Sequence, residues 1–92
     1  MNDHAIKKRL ARARKLATGD LARAGYGIIE AQNEPFSFIG VRPSEARFIR
    51  IALDEATPTD INSCKRFKVP SNCTREIWAL PGRGRCFRVS SV

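Results

Sequence analysis

Ala46-Arg47-Phe48-Ile49-Arg50-Ile51-Ala52-Leu53 runs directly into Asp54-Glu55-Ala56-Thr57-Pro58-Thr59-Asp60, and the change of pattern between the two stretches decides the fold. The first stretch reads as a strand, rich in β-branched and aromatic side chains and free of Gly and Pro. The second opens a helix. Thr57 stands at the N-cap, Pro58 at the first helical position, and Asp60 three residues after the cap, near the positive end of the helix dipole. This helix is expected to run to about Phe67 and to stop before Pro70.

Outward from there the same punctuation recurs. Towards the C-terminus, Arg75-Glu76-Ile77-Trp78-Ala79-Leu80 is a fourth strand, Pro81-Gly82-Arg83-Gly84 a turn, and Arg85-Cys86-Phe87-Arg88-Val89 a fifth strand closing a hairpin. Towards the N-terminus, Phe36-Ser37-Phe38-Ile39-Gly40-Val41 is a second strand, Asn33-Glu34-Pro35 a turn, and Gly27-Ile28-Ile29-Glu30-Ala31-Gln32 the first strand. Before it, Ile6, Leu10, Ala13, Ala17 and Leu21 recur at spacings of three and four, one face of a helix. Thr18-Gly19-Asp20 is a place for that helix to kink, and Gly25 a place for it to stop. The order α-β-β-β-α-β-β implies an α+β fold over residues 1–92, one domain with a central mixed β-sheet flanked by helices.

Charge is the strongest functional signal. Lys and Arg total 17 against 9 Asp and Glu, a net +8, and the pI is about 10.3. Such an excess implies a polyanionic partner, nucleic acid and DNA first. It is polarised: residues 1–25 carry 7 − 2 = +5, residues 26–60 carry 3 − 6 = −3, and residues 61–92 carry 7 − 1 = +6. Three basic groups stand out. Lys7, Lys8, Arg9, Arg12, Arg14 and Lys15 lie on the first helix, with no acid between residues 4 and 19. Lys65, Arg66 and Lys68 end the second helix, where they would also suit the helix dipole. Arg83, Arg85 and Arg88 lie on the last hairpin. All three groups, with Arg50, are candidate phosphate contacts.

Other classes find little support. No run approaches the about 20 apolar residues of a spanning helix, and the charged N-terminus has no apolar core behind it, so no membrane is implied. A cytoplasmic, nucleoid or phage-associated location is expected. Cys64, Cys73 and Cys86 form no CxxC, and His4 is the single histidine, a poor zinc set, so reduced thiols and no metal or cofactor are expected. Gly82-Arg83-Gly84 precedes no helix and cradles no phosphate. Phe36, Phe38, Phe48, Phe67 and Phe87 suit the core, as do Tyr26 and Trp78.

Gly25-Tyr26-Gly27-Ile28-Ile29, then Phe36 to Val41, then Phe48 to Ala52, then Glu76-Ile77-Trp78 follow one another in an order that resembles the PD-(D/E)XK nuclease superfamily, in particular its archaeal Holliday-junction-resolvase-like members. The resemblance covers most of the chain. It implies a restriction-endonuclease-like core and a homodimer. It also implies carboxylates around a divalent metal, with a Lys beside the attacking water. Here Ser37 stands at the second-strand Asp position, Arg50 at the third-strand acid and Ala52 at the Lys; the first-helix acid position falls near Arg14. Ser37 and Arg50 cannot hold a metal, and an arginine favours a phosphate. No catalytic residue is therefore assigned. The expectation is an inactive, nuclease-like DNA-binding protein of phage or mobile-element type, reading backbone and shape. Two alternatives stay open: an active metal-dependent nuclease or junction resolvase with relocated acids, Glu30 first and then Asp54 and Glu55, and a protein-interaction module such as a phage-encoded inhibitor.

Overall fold

The computed structural model of the chain describes residues 3–31 and 35–92. Gln32, and the Asn33 and Glu34 of the expected turn, lie outside the described residues. The elements are α1 (Asp3–Arg23), β1 (Gly27–Glu30), β2 (Phe38–Arg42), β3 (Glu45–Leu53), α2 (Pro58–Lys65), β4 (Cys73–Leu80) and β5 (Arg88–Ser91). The strands form one five-stranded open sheet in the order β1-β2-β3-β4-β5. β1, β2 and β3 are antiparallel neighbours, β3 and β4 are parallel, and β4 and β5 are antiparallel. The parallel pair needs a long crossover, which α2 supplies. The fold is thus α+β with a mixed sheet and two helices, as the punctuation implied.

α1 lies on one face through small residues. Ala13, Ala17 and Leu21 are buried against Phe38, Ile49, Ile51, Trp78 and Leu80. Gly40 of β2 makes room for this approach, since a Cβ there would sit 3.3 Å from Leu21. The helix runs unbroken through Thr18-Gly19-Asp20. The Thr18 hydroxyl donates back to the Arg14 carbonyl at 3.0 Å, within one continuous helix. The helix ends as expected: Gly25 takes φ +88° and the Tyr26 N–H donates to the Leu21 carbonyl at 3.0 Å.

α2 covers the opposite face, where Cys64 joins Phe36, Ala52, Ile77 and Ala79. Its start is a full capping box: Thr57 accepts from the Asp60 N–H and Asp60 accepts from the Thr57 N–H. It ends at Lys65, two residues short of the expectation. Arg75, reaching over from β4, donates to the carbonyls of Cys64, Lys65 and Phe67 at 3.4, 3.0 and 3.0 Å and satisfies the helix end from outside.

Three expectations are corrected. β2 starts at Phe38 and not at Phe36. The chain bends at Ser37, so Phe36 and Phe38, which strict alternation would put on one face, are buried in different clusters. β5 starts at Arg88 and not at Arg85, because Phe87 turns in onto Trp78, ring centroids 5.3 Å apart, before pairing begins at Arg88 opposite Ala79. Phe67 is 43% exposed and so is not a core residue.

One charged group lies deep on the α1 face. Glu76 is 4% exposed. Arg47 donates to it at 2.8 and 2.5 Å, Trp78 Nε1 at 3.1 Å, and the Thr74 hydroxyl also donates. Burial alone pushes the Glu76 carboxyl up, but the hydrogen bonds from Arg47, Thr74 and Trp78 and the charge of Arg47 outweigh it, so the net shift is down. A carboxylate with a depressed folded pKa stabilises fully above its unfolded value, near pH 4.3, and loses that stabilisation as pH falls through the folded value. Urea denaturation should therefore show stability falling below about pH 4. At neutral pH, Arg47→Met should cost about 3–5 kcal/mol by leaving Glu76 buried and unpaired.

Candidate nucleic-acid interface

The bend at Ser37 takes the chain out of the ladder and leaves the last part of β3 without β2 beside it. The Ser37 side chain fills one gap in that ladder, its hydroxyl oxygen accepting from the Ile51 N–H at 3.2 Å. Beside it, Leu10, Arg14, Ser37, Arg50 and Ile51 line a cavity of about 260 Å³. Ser37 and Arg50 thus meet in one place. Ala52 does not join them. It is buried in the core on the α2 side.

The charges around this cavity are matched. Arg50 Nε donates to Asp60 at 2.7 Å and its Nη1 donates to the Pro35 carbonyl at 2.8 Å. Burial pushes the Asp60 carboxyl up, but the hydrogen bonds from Thr57 and Arg50 and the charge of Arg50 bring it below the usual range. Arg14 pairs with Glu30, and Arg9 with Asp54 at 2.7 Å. Two of the three relocated acids are therefore each held by a guanidinium from α1, and Glu55 is exposed. Among the described residues, no three His, Cys, Asp or Glu stand together. A hard divalent cation needs several oxygen ligands, and this donor set does not fit one.

The basic groups divide by geometry. Helical residues advance about 100° each, so Lys8, Arg12 and Lys15 point away from the Ala13-Ala17-Leu21 stripe while Arg9 and Arg14 flank it. Lys8, Arg12 and Lys15 are exposed accordingly. Arg12 donates to the Gly84 carbonyl at 3.1 Å, which brings the 81–87 loop alongside the helix. Arg83 and Arg85 are exposed on that loop. Two groups some 70 residues apart in sequence thus become one surface, continued by an open groove of about 470 Å³ lined by Arg12, Lys15, Gly19 and Arg23. Lys8, Arg12, Lys15, Arg83 and Arg85 form no ion pair with any described residue.

Not every sequence candidate belongs to that surface. Arg88 pairs opposite Ala79, which faces α2, so it turns to the other side of the sheet. Lys65, Arg66 and Lys68 are exposed at the end of α2, also on that side. Arg50 is 18% exposed at its side chain and engaged with Asp60. Three roles escaped the sequence: Arg47 on Glu76, Arg75 on the α2 carbonyls, and Arg42, which stacks over Tyr26 at 4.2 Å. Only the helical angles of the α1 cations were readable beforehand.

Comparison of the chain with protein-family models, curated proteins and solved structures finds no match.

Arg50 can be tested against the helix cations. Arg50→Gln leaves the Asp60 carboxylate, 14% exposed, without its cation and should cost about 2 kcal/mol in urea denaturation. If the wild type binds DNA, the folded variant should bind it equally well in a fluorescence-anisotropy titration.

Proposed function

We propose that this protein binds nucleic acid, DNA above all, through the phosphate backbone, and does not cut it. The observation that carries this reading is the joined surface of Lys8, Arg12, Lys15, Arg83 and Arg85, tied together by the Arg12–Gly84 hydrogen bond and not neutralised by described acids. Arg9, Arg14, Arg47 and Arg50 are matched with carboxylates and Arg75 with carbonyls, so the net positive charge falls on outward surfaces. A row of cations on a helix beside a cationic loop suits phosphates and carries no base-reading code. Binding would then follow the shape and charge of the duplex or branch.

The resemblance to PD-(D/E)XK resolvases supports the same reading. In such a lineage, Ser37, Arg50 and Ala52 replace the metal ligands and the lysine, and binding outlives cutting. The homodimer is taken from the resemblance alone.

Anisotropy titrations with labelled duplex, four-way junction and single-stranded DNA test the reading. If about six phosphates are neutralised, affinity should fall on the order of 10³ between about 50 and 200 mM salt. Replacing Lys8, Arg12 and Lys15 together by Ala should lower the slope of log affinity against log salt by about three. A salt-independent affinity, or retention of one specific protein with no binding to DNA, would overturn it. With Mg²⁺ or Mn²⁺ added, the DNA should stay intact. Cleavage that disappears in Glu30→Gln would show an active nuclease instead.

A further inference from the structure

We propose that the end of α2 is a second nucleic-acid contact, in which Phe67 stacks on an unpaired base while Lys65, Arg66 and Lys68 meet the adjoining phosphates. It goes beyond the reading above, because it lies across the sheet from the α1 surface and selects a different form of nucleic acid.

Phe67 is the one exposed aromatic among the described residues. Its ring packs on two others and stays 43% exposed. Phe36 meets it edge-on, centroids 5.3 Å apart and planes at 89°, and Phe48 lies 5.9 Å away. The backbone is pinned as well: the Phe67 N–H donates to the Cys64 carbonyl at 3.0 Å, and the Phe67 carbonyl accepts from Arg75 at 3.0 Å. The ring is thus a rigid exposed surface, and a base can lie on it at little cost in ordering.

The flanking cations are not needed to hydrogen-bond the helix end. Cations at a helix C-terminus commonly serve its carbonyls. Here Arg75 does that from the neighbouring strand. Lys65, Arg66 and Lys68 are exposed and form no ion pair with a described residue. Beyond Lys68 the surface opens into a groove of about 520 Å³, lined also by Pro70, Ser71, Thr74 and Arg75. An aromatic face among cations, continued by an open groove, is the arrangement that holds single strands: stacking accepts any base, and the cations follow the backbone. Duplex DNA offers no free base face, so it gains nothing from Phe67.

The test uses a labelled thymidine oligonucleotide of about 12 nucleotides and a duplex, titrated by anisotropy against the full chain. Phe67→Leu keeps the apolar contact with Phe36 and Phe48 and removes the aromatic face. It should weaken oligonucleotide binding about ten-fold or more and leave duplex binding unchanged. Phe67→Trp should keep the affinity, and its exposed indole should be quenched as the oligonucleotide is added. The Lys8, Arg12 and Lys15 triple variant should show the converse, losing duplex affinity more than oligonucleotide affinity. That separates this site from the α1 surface. Oligonucleotide affinity unchanged in Phe67→Leu, or indole fluorescence unmoved in Phe67→Trp, would overturn the proposal. So would a dimer in sedimentation that Phe67→Leu dissolves, because the ring would then belong to a contact between copies.

Discussion

β3 and β4 run side by side for eight residue pairs, Ala46–Cys73 to Leu53–Leu80, and half of those residues, three of β3 and five of β4, are buried, on both faces. From Glu76 to Leu80 every residue of β4 is buried. A parallel pair of this kind needs cover on each side and a crossover between its strands. α2 is the crossover and covers one face; α1 covers the other, close enough that its contact residues are Ala13 and Ala17. Glu76 belongs to this pair, which is why Arg47, Thr74 and Trp78 converge on it: a carboxylate inside the covered sheet costs several kcal/mol unless it is paired and hydrogen-bonded.

The covering helices sort the charges. On α1 the cations nearest the sheet meet the acids at the strand ends, Arg9 with Asp54 and Arg14 with Glu30, while those opposite face outward. On the far face, Arg75 closes the end of α2 and leaves Lys65, Arg66 and Lys68 outside. A chain with net charge +8 therefore has neutralised seams and cationic outer surfaces. Side chains of one type do three jobs: they pair acids, close a helix, and face the solvent where a polyanion can reach them.

The same arrangement accounts for the cavity at Ser37. The bend there sends Phe36 to the α2 side and ends the β2 pairing of β3 at Ile49. Ser37 repairs one lost ladder hydrogen bond and Arg50 ties the bend, through the Pro35 carbonyl, to Asp60 at the start of α2. Arg50 thereby couples the capping box to the sheet. The side chains around the cavity thus hold the protein together.

Local signals were legible because they are written in neighbouring residues. The α1 stripe, the Gly25 stop and the Thr57-Pro58-Asp60 start each depend on a few side chains within one or two turns, and each appears in the structure. Features that depend on distant partners were not legible. Alternation could not say that the chain bends at Ser37, that Phe87 turns in before β5, or that Phe67 stays outside, because each is set by what packs against it. The sequence by itself determined the class of the fold, the faces of the first helix and the sign and size of the charge. Only the tertiary structure decided which cations remain exposed, since a salt bridge such as Arg9–Asp54 forms between residues 45 apart, and their meeting depends on how α1 lies across the sheet.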